Sequence, residues 1–350
     1  MTQPVTESLP IAVSRAEVVA MLAGRRSVDE LGRPTLDGCS VAVCTRNRPR
    51  AIVAFLTSLA EQGALPDEVL LVDGSDGCDT EAVVRDFAAG HTFARSWRYV
   101  RVAASQRGLT RQRTLALQLA TCPLIAFFDD DILLQPHCLE RMVEAHNALG
   151  GRAVGVAAYI ENERLTPPAL WRLRRMTGIV STLAPGRYCR SGFSTPWGFL
   201  APTAASVTGD WLPGGATMWR TELARAVGFE HGFAGYGSGE DLDFSLRIGR
   251  HGALVMAGNA RVVHLQADGG RPDGYDAGYR GLANHYHIHR WALPDRRRRD
   301  ALWFAYAFVM DTLFRASGLL RPSRRVWTHG FVRGRTKFLW RLATGREANA

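Results

Sequence analysis

LIAFFDDDI (124–132) runs from five apolar residues straight into three consecutive aspartates. A compact apolar run of this kind reads as a strand buried on both faces of a parallel sheet. Three adjacent carboxylates repel one another, so the cluster needs solvent or a cation beside it. The phenylalanine pair in front of it implies a partly shielded strand end, where a hard divalent ion with oxygen ligands fits, Mg²⁺ or Mn²⁺. Alternate residues of an extended segment share a face, so Asp129 and Asp131 form the working pair and Asp130 is secondary. An acidic turn or a helix N-cap would read the same way in isolation.

Working outward, the same strand signal recurs at CSVAVCT (39–45), EVLLVDGSD (68–76), WRYVRVA (97–103) and AVGVAAYI (153–160). Between these lie helical patterns: AIVAFLTSLAEQG (51–63), RGLTRQRTLALQLA (107–120) and HCLERMVEAHNAL (137–149). Strands alternating with helices predict an α/β fold with a mostly parallel central sheet flanked by helices. Residues 161–212 are rich in Pro, Gly, Ser and Thr and have little period. Order returns at GGATMWRTELARAVG (214–228), GEDLDFSLRIGRHG (239–252) and ALVMAGNARVVHL (253–265). Residues 1–36 read as an extension with a short helix over Ser14–Arg25, broken at Gly32-Arg33-Pro34. The expected division is an extension at 1–36, a catalytic domain at 37–290 in two halves (37–135 and 136–290), and a basic, aromatic helical region at 291–350.

The 350 residues are 46% hydrophobic and 22% charged, enough to bury a sizeable core. The six cysteines include no C-x-x-C pair, which argues against zinc-site spacing and for reduced thiols of a cytoplasmic protein. MTQPVTESLP lacks a basic n-region followed by an apolar core, so no signal peptide is expected. ALWFAYAFVMDTLF (301–314) is too short to span a bilayer and contains Asp311. The net charge of +10 fits anionic partners, and it fits equally a composition that simply favours arginine.

In an open α/β sheet, ligands bind outside the carboxyl ends of the strands. That rule selects Thr45–Arg48, Asp73–Asp76 and Asp129–Asp131, which should meet in one crevice. Arg107, Arg111 and Arg113 at a helix start would suit phosphate, or form a solvated basic face. GYGSGEDLDF (235–244) puts Glu240, Asp241 and Asp243 in a first helical turn, where acids offset the helix dipole. One of them, Asp241, could instead be a general base, with the glycines before it allowing close approach of substrate. His264 ends a strand and could complete a metal site supplied with carboxylates. HYHIH (285–289), read as a strand, would align three imidazoles, but it lies outside the apparent crevice.

In this order the motifs resemble family 2 of the nucleotide-sugar glycosyltransferases, which have the GT-A fold. The matching pieces are VAVCTRNRP (41–49), VLLVDGSD (69–76), RGLTRQRTLAL (107–117), IAFFDDDI (125–132), LPGGATMWRTEL (212–223), GSGEDLDFSLRIGRHG (237–252) and VVH (262–264). They cover roughly residues 38–270. The resemblance implies that Thr45, Arg46, Asp73, Arg113, Asp129 and Asp130 bind the nucleotide sugar. It further implies that Asp129, Asp131 and His264 hold a divalent cation, Mn²⁺ or Mg²⁺, and that Asp241 is the catalytic base. Asp210, Trp211, Gly214, Gly215 and Glu240 would border the acceptor. The chain departs from the pattern at Thr114, where the family commonly has Asn, and at Gly74, where paired acids are common. It lacks the Q-x-x-R-W signature and membrane spans of processive synthases, so single transfer is expected.

The implied function is an inverting, metal-dependent transfer of a sugar from a nucleotide-diphosphate sugar to an acceptor hydroxyl, in cell-surface glycan or glycoconjugate synthesis. The acceptor would be a glycan, a lipid-linked molecule or a small molecule. A nucleotidyltransferase would use similar groups but shows a glycine-rich phosphate loop after the first strand, which TRNRP lacks. A non-catalytic binding protein of the same fold would have lost the base or the metal acids. No nucleic-acid reader motif accompanies the arginines. Residues 296–346 combine arginine clusters with Trp303, Phe304, Phe308, Phe314, Trp327, Phe331, Phe338 and Trp340. Such helices could lie on an anionic membrane, putting the protein at the inner face of the cell membrane, or could cap the catalytic domain.

Overall fold

The computed structural model describes residues 35–233, 239–266, 273–293, 295 and 297–345. The expected helix at Ser14–Arg25 and the glycines before Gly239 lie outside these residues.

The N-terminal half alternates strands and helices, with α2 added to the helices read from the sequence: β1 (Thr35–Thr45), α1 (Pro49–Ala60), β2 (Leu65–Asp73), α2 (Asp79–Gly90), β3 (Ser96–Arg101), α3 (Leu109–Leu119) and β4 (Leu124–Asp129). Proline at the start of α1 has no amide to lose there, and Ile52, Phe55, Leu56 and Leu59 make one buried face at helical spacing. The second half adds β5 (Ile132–Leu134), α4 (Cys138–Ala148), β6 (Ala153–Ile160), α5 (Ala169–Met176), β7 (Ser206–Gly209), β8 (Ala216–Arg220), α6 (Thr221–Val227), α7 (Glu240–Ile248) and β9 (Ala253–His264). Three long helices follow: α8 (Gly274–Ala292), α9 (Arg298–Ala316) and α10 (Pro322–Ala343).

The strands form one sheet in the order β3-β2-β1-β4-β8-β6-β9-β5, with β7 paired to β9. It is parallel from β3 to β4, and β8 runs antiparallel between β4 and β6. The apolar strands are continuous because both faces are covered. Val41, Val43, Ala126 and Phe128 pack toward α1, α2 and α4, whereas Ala42, Ile125 and Phe127 pack toward α3, α6 and α7. The adjacent phenylalanines of β4 therefore serve opposite cores, each worth about 1.5–3 kcal/mol by burial.

A separate apolar cluster joins Ile179, Val180 and Phe193 to α8, α9 and α10 through Leu282, Phe304, Phe308 and Phe338. Within it, buried Asp311 meets Arg174, Arg315 and Arg335. Helices α8 and α10 approach through small residues: a Cβ at Gly278 would lie 2.1 Å from the Phe331 carbonyl oxygen. Phe304, Phe308, Phe331 and Phe338 of the C-terminal aromatic set are thus core residues, and Trp303, Trp327 and Trp340 are exposed.

HYHIH is a correction. It lies within α8, where intrahelical hydrogen bonds replace the strand periodicity read from it. His285 donates from Nδ1 to the Gly192 carbonyl at 3.0 Å, and His289 from Nε2 to the Arg190 carbonyl at 2.9 Å. Burial holds the His285 imidazole down at about 4, so it is neutral at ordinary pH.

Candidate active site

The register of the sheet sets the site. Thr45 pairs with Asp73, and Cys44 pairs with Asp129, so the carboxyl ends of β2, β1 and β4 are level. A cleft of about 830 Å³ opens there, lined by Thr45–Arg48, Gln112, Arg113, Asp129–Asp131, Trp211, Gly214, Gly215, Glu240, Asp241 and His264. These include most of the residues singled out from the sequence. Helix α8 closes one wall with Gly281, Asn284, His285 and Ile288; His285 thus borders the cleft, contrary to the expectation that HYHIH lies outside it, and the other three carried no sequence signal for the site.

Arg113 is the hub. Its guanidinium, nearly fully buried, donates to Glu240 at 2.6 Å, to Asp129 at 3.1 Å and to the Gly214 carbonyl at 2.9 Å. Phe127 and Phe229 flank it. Burial alone would lower its pKa, but Glu240 and Asp129 reverse the sign and hold the guanidinium more firmly protonated than usual. Gly214 has no room for a side chain, because a Cβ would come within 2.9 Å of the Arg113 guanidinium.

Asp241 opens α7 behind Gly239, whose φ of 90° suits glycine. Its carboxylate accepts from the Leu242 amide at 2.8 Å and the Gly214 amide at 3.3 Å. Burial pushes its pKa up, and the Leu242 amide and Arg113 pull against that rise. Burial also raises Glu240, with the neighbouring Asp241 charge adding to it and Arg113 opposing. Asp243 leaves this group and pairs with Arg247 at 2.6 Å.

The three aspartates separate. Asp129 is partly exposed in the cleft and leans on Arg113. Asp130 turns back, accepting from Thr45 at 2.7 Å and from Arg48 at 2.9 Å, and burial raises its pKa to about 6. Asp131 lies 3.6 Å from Arg48 and 3.3 Å from His264 Nε2. The charge that three adjacent acids require is therefore supplied in part by Arg48, at the end of the Thr45–Arg48 segment expected in the crevice.

His264 Nδ1 contacts Glu163 at 2.6 Å, leaving Nε2 facing Asp131. The Asp131 and Glu163 hydrogen bonds raise its pKa to about 10. A carboxylate behind an imidazole whose other nitrogen faces a carboxylate is the arrangement that orients ligating histidines. Among the described residues, no group of three or more His, Cys, Asp or Glu side chains forms a metal site by itself. Mg²⁺ and Mn²⁺ carried with a nucleotide need fewer, since one or two protein groups suffice when phosphates and water complete the shell. Asp131 and His264, with Asp129 beside them, fit an ion of that kind.

Two expectations are corrected. Asp73 is fully buried, with Tyr99 and Ser75 donating to its two oxygens, because β3 covers the end of β2. Arg46, Asn47, Asp76 and Arg107 lie on that rim instead. Asp210 is also outside the cleft. It accepts from Arg187 at 3.3 Å and the Tyr188 amide at 2.9 Å, tying the end of β7 to the 187–188 segment. Its neighbour Trp211 does line the cleft, and its buried Nε1 has no hydrogen-bond partner among the described residues.

Residues 40–194 match the family described as glycosyl transferase family 2. Validoxylamine A glucosyltransferase of Streptomyces hygroscopicus subsp. limoneus is 27% identical over 236 residues, covering 61% of this chain and 48% of that protein. The chain spans about half the length of the curated relatives it matches. Among solved structures, the mannosyltransferase PcManGT of Pyrobaculum calidifontis, in complex with GDP-Man and Mn²⁺, superposes with a TM-score of 0.52 at 18% identity over 93% of each chain. GalNAc-T7 with UDP, GalNAc and Mn²⁺ superposes with a TM-score of 0.54 at 14% identity, over 89% of this chain and 57% of that one. The fold is the GT-A arrangement expected from the motif order.

Proposed function

We propose that this chain acts as the family its residues 40–194 match, glycosyl transferase family 2, and transfers a sugar from a nucleotide-diphosphate donor to an acceptor hydroxyl, with inversion at the anomeric carbon. The observation that carries the reading is Arg113 bridging Asp129, at the end of β4, to Glu240, beside Asp241 at the start of α7. It joins a donor-side acid to a buried carboxylate in one cleft.

The nucleoside enters along the Arg46–Asp76 rim, and the diphosphate faces Asp129, Asp131 and His264. These three would hold a Mn²⁺ or Mg²⁺ ion, which when bound would neutralise charge growing on the departing diphosphate. Support for the ion comes from the donor set and from the Mn²⁺ in the two solved structures of like fold. Asp241 accepts the proton of the acceptor hydroxyl as its oxygen bonds to the anomeric carbon. The bond from that carbon to the phosphate oxygen breaks, and its electron pair leaves with the nucleoside diphosphate. Gly214 and Leu242 amides orient the carboxylate for this task, and Glu240 keeps Arg113 in place. Trp211, which lines the cleft, would border the acceptor. A role in cell-surface glycan or glycoconjugate synthesis is part of the same proposal.

A panel of GDP- and UDP-sugars, with Mn²⁺ or Mg²⁺, tests this. Release of nucleoside diphosphate is expected for one donor class, with the opposite anomeric configuration in the product. Asp241→Asn should retain the fold and lose about 10²–10⁴-fold in transfer. Retained configuration, or near-normal turnover by the folded variant, would overturn the scheme.

A further inference from the structure

Helix α9 buries one side and leaves the other bare. From 301 to 313 every exposed residue is alanine, aliphatic or aromatic: Leu302, Trp303, Tyr306, Val309 and Leu313, with Ala301 and Ala305 between them. Leu302, Val309 and Leu313 are 73, 50 and 60% exposed, so the strip is outside the core. Leu302, Tyr306, Val309 and Leu313 fall at helical spacing on one line. Tyr306 donates to the Thr177 carbonyl, which brings the end of α5 alongside, and Met176 there is 83% exposed.

The exposed charge around this strip is almost wholly positive, and the exposed Asp295 before its start is paired with Arg190. Arg297, Arg298 and Arg299 are exposed at its start, Arg172 and Arg175 on α5, and Arg321, Arg324 and Arg325 beyond its end. Between 297 and 345 there are eleven arginines and lysines and only two acids, Asp300 and Asp311. Both acids are buried and paired, with Arg190 and with the three arginines of the cap. No described helix is long and apolar enough to cross a membrane.

We infer that α9 lies flat on an anionic lipid surface, with its apolar strip in the acyl boundary and the surrounding arginines on the headgroups. Apolar contact plus cationic attraction is the combination that holds an interfacial helix. A second copy of the chain would bring the same excess of positive charge against itself. The inference stands apart from the donor chemistry, but geometry links the two, since α8 packs on α10 and also walls the cleft. An acceptor anchored in lipid would thus be presented near the acceptor side.

Flotation of the full chain with vesicles tests it. One set is phosphatidylcholine alone, and the other contains about one third phosphatidylglycerol. Binding is expected to the anionic vesicles, weakening as salt is raised. The triple variant Leu302→Ser, Val309→Ser, Leu313→Ser should partition at least about tenfold less, while its melting temperature and release of nucleoside diphosphate stay unchanged. Equal binding to both vesicle types, unaltered binding by the triple variant, or a concentration-dependent dimer that the variant abolishes would each overturn the inference.

Discussion

The guanidinium of Arg113, on α3, lies 2.6 Å from the carboxylate of Glu240, on α7, across 127 residues of sequence. Both side chains are buried, so each needs the other. Removing one partner of such a pair strands a charge, at a cost of about 3–5 kcal/mol. Arg113→Met is therefore expected to lower unfolding stability by that order in a denaturant titration. It should also abolish the thermal stabilisation conferred by a donor nucleotide, since Asp129 and Gly214 lose the same anchor.

Glu163 lies outside the aspartate cluster, yet it fixes the His264 ring. Glu163→Gln should raise the Mn²⁺ concentration needed for half-maximal activity by about 10–100-fold, with little change at saturating metal. A metal titration of donor turnover checks this. An unchanged midpoint would mean that His264 does not serve the ion.

Asp241 has a carboxyl pKa raised chiefly by burial. A base acts in its deprotonated form, so the transfer rate should fall on the acid side at a pH above the usual carboxylate range of about 4. The pH profile of kcat/KM reads this directly. A plateau continuing down to about pH 4 would assign the proton elsewhere.

Asp311 behaves in the opposite sense. Burial disfavours its charge, but Arg174, Arg315 and Arg335 outweigh that and hold its pKa below normal. A depressed carboxyl pKa contributes stability above the unfolded value and loses it as pH falls through the folded one. The cap should therefore persist at neutral pH and loosen only below about pH 4. Asp311→Ala should release it at neutral pH, costing about 3–5 kcal/mol. Tryptophan fluorescence against pH follows both.

Gly278 lets α8 and α10 touch backbone to backbone. Gly278→Val would force the Phe331 carbonyl away and should cost about 1–3 kcal/mol. Limited proteolysis should then cleave the C-terminal helices earlier than in the unaltered protein.

Much of the site was legible because its residues end strands. Apolar runs at 39–45, 69–72 and 124–128 had to be buried on both faces, and polar residues directly after them had to meet at one edge. Thr45, Asp129, Asp131 and, through the motif order, Asp241 and His264 were singled out that way, and all five line one cleft. Asp73 followed the same rule and was misjudged, because the strand order puts Tyr99 of β3 beside it and its hydroxyl takes the carboxylate. Arg48 was placed at the crevice without its partner, and Glu163 and most of the α8 wall gave no local signal. Their roles come from contacts 82 residues apart in the case of Arg48 and Asp130, and 101 in the case of Glu163 and His264.

Local pattern alone determined the alternation of strands and helices, the acidic strand end and the strongly cationic C-terminus, since these depend on neighbours within a few turns. Tertiary structure decided which partner each acid meets. Of the three aspartates, Asp130 is consumed by Thr45 and Arg48, Asp131 faces His264, and Asp129 leans on Arg113 in the open cleft. It likewise decided which C-terminal aromatics are core and which face out, because a helix that is apolar all round does not say which side its partners will take.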